Sequence, residues 1–331
     1  MGKAEREKLR KAAGVPRGHP RFALRFSSSA QKGMALITAI LIVALVASLA
    51  FALSARERLW LTQIGNRDDF TAAQATVLSA IDLARLSLRD DMRNNHVDHL
   101  FEAWTVPVPP INVEEGRVGG RLVELQGRLN LYGLQSDGQV NAKGLEALQR
   151  LLVQRSLPAD WANKMAQAMA EQVTLWLKAR KTDPAAARLT AKLLPVASLS
   201  ELGTLAGLGG GEIDRLAVIE PLTALLPEAT TINVNFAPPE VLAAVTPNLA
   251  LKDAENLVVR RARAHFTSTQ DFLKALPEKV RGTASQTLYG VESQYFLAEA
   301  ESVYGRVYVR MQALLYRQRG RMPEIVWVRR D

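Results

Sequence analysis

The sequence predicts an α+β fold: a long N-terminal helix packed on an antiparallel sheet, with a large all-α domain inserted between the strands. Three observations lead there. An uncharged apolar run at 34–55 opens, with no intervening proline, into an amphipathic stripe. Apolar and polar residues alternate near 121–125 and again at 307–315. Between those stretches lie about 150 residues of helical spacing, enough for a domain by themselves.

The first 33 residues hold nine basic side chains (Lys3, Arg6, Lys8, Arg10, Lys11, Arg17, Arg21, Arg25 and Lys32) against Glu5 and Glu7, a net of +7. They lack apolar periodicity and end near a serine run, so 1–33 reads as a disordered basic leader. The whole chain carries +9, which leaves +2 for everything after Gly33. The basic balance is therefore local and lends little support to nucleic-acid binding.

Residues 34–55 hold no charge, proline or glycine, and eleven of the 22 are Leu, Ile, Val or Phe. As a helix they measure about 33 Å, matching a hydrocarbon core of ~30 Å. At roughly −0.3 to −0.6 kcal/mol each, the large apolar residues favour insertion by about 3 to 7 kcal/mol. Positive charge before the span keeps the N-terminus in the cytoplasm and sends the remainder across. Two fates of this segment are open. A secretory signal peptide would be cut after Ala50-Phe51-Ala52. A leader resembling that of type IV prepilins would be cut on the cytoplasmic side between Gly33 and Met34, leaving the apolar helix in the membrane. Lys32-Gly33-Met34 fits the second pattern, and no helix breaker precedes the first site.

The helix is expected to continue to about residue 93, with Gly65 as a soft point. Phe70, Val77, Ile81, Ala84 and Leu88 form one stripe, while Arg67, Asp68, Asp69, Arg85, Arg89 and Asp90 fall elsewhere. The proline-rich 106–111 reads as a helix exit, with Trp104 as a packing anchor beside it. His96, His99 and Glu102 have a spacing that could gather a metal on a helix, though packing is the favoured reading. Strands are expected over 117–133, with turns at Gly119-Gly120 and Gly127. The domains thus run 1–33 (leader), 34–55 (transmembrane helix), 56–135 (second half of the helix and first strands), 136–288 (inserted helical domain) and 289–331 (closing strands).

Within the insert, 231–242 opens a helix, and 254–261 leads to Phe266-Thr267-Ser268 and Asp271-Phe272. This resembles helix-hairpin-helix modules, some of which bind duplex phosphates through a glycine-containing hairpin. Only glycine lets a backbone approach a phosphate that closely. The joining segment 246–253 has none. A second pair around Gly207-Leu-Gly-Gly-Gly211 is followed by Glu212 and Asp214, which would repel phosphate. Helix pairs used as packing scaffold are the expectation, and no nucleic-acid partner.

Catalysis finds no support. The chain has no cysteine, hence neither thiol chemistry nor a disulfide. It has no G-x-S-x-G elbow and no phosphate-binding loop. Glu114-Glu115 reads as a solvated turn, and His265 stands alone among basic residues. No enzymatic activity is expected.

Several segments, in order along nearly the whole chain, resemble the general secretion pathway protein K family, the large minor pseudopilins of type II secretion. They are the Gly33/Met34 junction, 98–104 (Asp98, Glu102, Trp104), 126–131 (Gly127, Asn130), Trp176, 200–202 (Glu201), 226–227, 232–235 (Asn233, Asn235) and 261–272. The resemblance implies a pilin-like fold with the insert as its helical domain. It implies cleavage and N-methylation by a prepilin peptidase, an inner-membrane anchor and a periplasmic C-terminal domain. Implied partners are minor pseudopilins I, J and H, the major pseudopilin G and the inner-membrane assembly platform. Thr38, Leu41, Leu45 and Phe51 are the implied positions of helix packing.

The missing fifth-position Glu at Thr38 departs from most pilin-like proteins but is part of the resemblance to this family, and one departure from the family itself, at its calcium position, matters. Most pilin-like proteins carry Glu where Thr38 stands, a carboxylate thought to meet the free amine of the subunit above. A threonine suits a subunit with nothing above it, or simply tolerates burial by bonding to a helix carbonyl. The family's calcium-associated carboxylates fall at Leu175-Trp176-Leu177-Lys178, followed by a short loop over 179–194 whose only acid is Asp183. Calcium takes six to eight oxygens, so no metal and no cofactor are expected. A membrane-anchored periplasmic binding module using the helix pair, for instance on DNA, is the alternative reading.

Overall fold

The computed structural model describes residues 28–113, 116–182, 195–284 and 286–330. Most of the leader, the Glu114-Glu115 pair and most of the loop with Asp183 lie outside the described residues. The chain divides into two compact units, 1–64 and 65–331.

Helix α1 (Ser28–Asn94) begins earlier than expected. Residues 28–33, read as disordered leader, are helical. Extending a formed helix adds one hydrogen bond per residue with no new nucleus, and the apolar run supplies the helix to extend. In the first unit, residues 33–64 are exposed, including Leu41, Leu45 and Phe51. One 18-residue window of this helix reaches a mean hydropathy of 2.8, apolar enough to cross a membrane. The Thr38 hydroxyl donates back to the carbonyls of Met34 and Ala35, 3.1 and 3.0 Å away. The side chain is thus satisfied within its own helix and needs no partner from outside.

In the second unit, a five-stranded antiparallel sheet runs in chain order: β1 (Val108–Val113), β2 (Gly116–Glu124), β3 (Tyr295–Tyr304), β4 (Val307–Tyr316) and β5 (Glu324–Arg330). The stripe of α1 covers it. Val77, Ile81 and Leu88 are fully buried with Ala73 against Phe296, Ala298, Ala300, Val309, Met311, Ala313 and Leu315. Two expectations are corrected here. The proline-rich 106–111 is no mere helix exit but enters β1, an edge strand whose prolines face no further ladder. Within 117–133, the ladder with β3 ends at Glu124, and Leu129–Asn130 pairs instead with Thr223–Ala224 inside the insert.

The insert leaves β2 after Glu124 and returns at β3. Glu124 pairs with Phe296 across that strand pair, so departure and return sit side by side. About 170 residues can hang from such a hinge without disturbing the ladder. They comprise α2 (Ala142–Gln154), α3 (Asp160–Thr182), α4 (Leu199–Leu205), α5 (Gly210–Leu216), α6 (Pro239–Val245), α7 (Leu251–Arg261), α8 (Thr269–Ala275) and α9 (Glu278–Arg281). Leu148, Leu151, Leu152, Met165, Leu202, Leu242 and Phe272 are among the residues of its single core, which also takes in Leu129, Leu131 and Leu134 before the helices and Tyr289 after them. The α6–α7 hairpin turns through Asn248, a left-handed residue at φ +62°, and carries no glycine. Asparagine tolerates that region. The α4–α5 turn uses Gly207 at φ +71°.

Candidate functional site: a buried polar junction

The segments singled out in the sequence meet between the sheet and the insert. Arg317, just past β4, is 1 % exposed. Its guanidinium donates to Asp98 at 2.5 and 2.6 Å, to Asp91 at 2.9 Å and to the Ser293 carbonyl at 2.7 Å. It also lies over the Phe296 ring, 4.6 Å from the centroid. Asp91 belongs to α1, Asp98 to the segment after it and Ser293 to the returning chain, so one cation ties three stretches.

Ser293 carries the network onward. Its N–H donates to Asp98 and its hydroxyl to Glu124. Glu124 also accepts the N–H groups of Gln126 and Gly127, fixing the turn that leads into the insert. Asn233 donates to the Ser293 hydroxyl at 2.8 Å and accepts from Asn235 N–H at 2.9 Å. Asn235 donates to the carbonyls of Asp98 and Phe266 and accepts the Phe266 N–H. Arg261, from α7, donates to the carbonyls of Val234, Phe236 and Ala237. Buried polar groups are costly unless paired; apart from the Arg261 Nε, which has no partner, the side-chain groups named here are paired, and such a network favours one arrangement.

Beside it, Glu102 accepts from Asn95, the His99 N–H and the Trp104 indole. Trp104 is buried, stacked on Phe236 at 5.6 Å and edge-on to Phe296 at 5.2 Å. It therefore packs sheet and insert together, as an anchor should. Asn130 donates to the Glu228 carbonyl and accepts from Tyr132 and Leu226. Two of the motif residues lie elsewhere. Glu201 accepts the Ala197 N–H at the start of α4, and Trp176 sits under the Arg180 guanidinium at 4.4 Å.

His96, His99 and Glu102 do not converge as a metal set. His99 stacks on His265 at 3.8 Å, so His265 is not solitary. Asp91, Asp98 and Glu102 do gather within 4.8 Å of one another, but Arg317 supplies positive charge to that group. Arg317 and Ser293 were not recognised as site residues from the sequence, and Arg261 was marked only as the start of the family-like stretch 261–272. Their partners lie 24 to 226 residues away, a separation that no local pattern reveals.

Burial pushes the carboxyls of Asp91 and Asp98 up, opposed by Arg317. It pushes Glu102 and Glu124 to about 7, although hydrogen bonds favour their ionised forms. The folded state thus holds the Glu124 proton more tightly than an ordinary carboxyl at 4.5. Its contribution to stability is full below about pH 4.5 and is lost as pH rises to about 7. The shift corresponds to about 3 kcal/mol. Urea unfolding of the full chain in detergent should therefore show wild-type stability falling more steeply than that of Glu124→Gln across this window. Parallel profiles would contradict it.

Gly127 is explained by the same junction. A Cβ there would lie 2.8 Å from the Phe236 carbonyl carbon and 2.9 Å from the Ala237 nitrogen, both backbone atoms. Gly127→Ala should destabilise by about 1 to 3 kcal/mol, read as a lowered urea midpoint.

Comparisons with known proteins point in one direction. The family described as "Type II secretion system (T2SS), protein K" matches residues 232–292. Type II secretion system protein K of Pseudomonas aeruginosa is 30% identical over 318 residues, covering 91% of this chain and 92% of the relative. That of Klebsiella pneumoniae is 26% identical over 313 residues, covering 87% and 93%. A chain in the crystal structure of the GspK-GspI-GspJ complex from enterotoxigenic Escherichia coli superposes with a TM-score of 0.62 at 19% identity. That match covers 81% of this chain and 99% of the other.

Proposed function

Because this chain belongs to the type II secretion system protein K family, we propose that it acts as a minor pseudopilin at the tip of a periplasmic pseudopilus, where it initiates or caps the filament. The observation that carries this reading is the architecture. An apolar helix suited to lateral packing in a membrane leads into a pilin-like sheet, and that sheet carries a separate helical domain of about 170 residues locked in place by the Arg317 junction. A domain of that size obstructs a subunit stacked above. Thr38, satisfied within its own helix, leaves no carboxylate awaiting an upper neighbour's amine.

The partners follow from the same reading: minor pseudopilins I and J, as in the complex that the structural relative belongs to, then H, the major pseudopilin G and the inner-membrane assembly platform. Prepilin peptidase would cut between Gly33 and Met34. The helix would span the inner membrane once, N-terminus in the cytoplasm, with the sheet and insert in the periplasm. The protein would work by assembly, without catalysis and without nucleic acid.

The residues at the family's calcium position do not fit that ion. On α3, Leu175 and Lys178 stand where carboxylates would, and Trp176 already faces the Arg180 cation. Equilibrium dialysis of the full chain should find no tightly held calcium.

Co-expression of the full chain with the I and J pseudopilins of the same organism, followed by detergent extraction and affinity purification, tests the assignment. The three should purify together as one complex. Recovery of this chain alone would overturn it.

A further inference from the structure

Arg128 follows Gly127 in the turn into the insert, yet it takes no part in the junction. It is half-buried, and among the described residues nothing forms a hydrogen bond or ion pair with its guanidinium. Burial lowers its pKa, while Glu124, Glu299 and Glu220 attract it from a distance. Two of those carboxylates are committed elsewhere. Glu124 accepts from Gln126, Gly127 and Ser293, and Glu299 from Arg121 and Gln312. The third, Glu220, is exposed and shares the lining of a neighbouring cleft, and a partly desolvated guanidinium attracted by carboxylates but hydrogen-bonded to none is a costly arrangement.

The side chain lines a cleft of about 380 Å³ between sheet and insert, walled by Leu100, Trp104, Pro221, Phe236 and Pro238. It also lines a second cleft of about 240 Å³. The larger cleft combines apolar, rigid walls with two cations, Arg128 and the Glu299-paired Arg121, and with Glu124, whose oxygens are already taken by Gln126, Gly127 and Ser293. A few polar groups among apolar walls are the composition of a site that orients a ligand. The planar guanidinium matches a carboxylate through two parallel hydrogen bonds. Proline and aromatic rings beside it offer flat surfaces to an adjoining apolar side chain. Its volume suits one or two residues.

We propose that the cleft beside Arg128 takes a carboxylate carried by an extended peptide segment of a partner protein. An Asp, a Glu or a free C-terminus supplies the counter-ion, and the neighbouring apolar residue lies against Trp104, Phe236 and Pro238. The inference goes beyond the filament position and does not depend on it.

The test is selection of random peptides displayed on phage against the full-length protein in detergent micelles, followed by titration of a selected synthetic peptide. The enriched sequences should share an acidic residue or a free C-terminal carboxylate next to an apolar one. Binding should weaken about tenfold or more when that acid becomes its amide, and equally in Arg128→Gln. Arg128→Lys should retain part of the affinity. Should Arg128→Gln fold poorly, Leu100→Asp serves instead. Leu100 is 49% exposed at the cleft wall, and an acid there should repel the peptide without disturbing the core. Failure to enrich any sequence, binders without an acid, or unchanged binding in the variants would overturn the proposal. Displacement of the peptide by inorganic phosphate of matching affinity would also overturn it, by reducing the cleft to a small-anion site.

Discussion

Arg317→Met is expected to cost about 3 to 5 kcal/mol of stability, among the largest losses available to a single substitution in this chain. The guanidinium is 1 % exposed and neutralises both Asp98 and Asp91. Methionine fills much of the volume but leaves Asp98, itself 2 % exposed, without a counter-ion. The loss should appear as a lowered urea midpoint of the full chain in detergent. Adding Asp98→Asn to Arg317→Met should recover part of it, since the uncompensated charge is then removed. The two residues touch, so the double mutant should fall well short of the summed single effects. Additive losses would show that the pair does not act as one unit.

Trp104→Ala should be comparably severe, about 3 to 5 kcal/mol. It deletes a buried ring packed between Phe236 of the insert and Phe296 of β3, and frees the Glu102 oxygen that accepted its indole N–H. Trp104→Phe should retain much of the packing and lose mainly the hydrogen bond, about 1 kcal/mol or somewhat more because a carboxylate is involved. A further readout separates a junction defect from general loosening. Limited proteolysis should cut first where the insert meets the sheet, near 125–128 and 291–294, before it reaches the helical core. Early cleavage within α2 or α3 would mean that Trp104 does not act at the junction.

The parts of this architecture visible in the sequence were those with a local period. The stripe at Val77, Ile81 and Leu88 is one face of a helix, and it is buried. The alternation over 307–315 matches β4. Strand β3 falls within the 289–331 assigned to closing strands, but its bounds were not marked, because part of its inward face is small: Ala298, Ala300 and Ser302 alternate with Glu299 and Glu301. Strand β1 was hidden by Pro109 and Pro110, tolerated only because the strand lies on the edge. Trp104 as a packing anchor and Gly127 as a turn were legible, whereas Asp98, Asn233 and Asn235 could be named from family resemblance but what they do could not. Each acts on a partner distant in sequence, and Arg317, the residue that joins several of them, looks like one more basic residue in a charged run.

The placement of the chain in a pseudopilus depends on its N-terminus. Intact mass and N-terminal sequencing of the protein extracted from a membrane fraction test that most directly. The account requires a chain that begins at Met34, with one methyl group on its amine. A chain beginning near Leu53 would contradict it, because the packing helix would be gone, and an uncut chain carrying its basic leader would contradict prepilin processing.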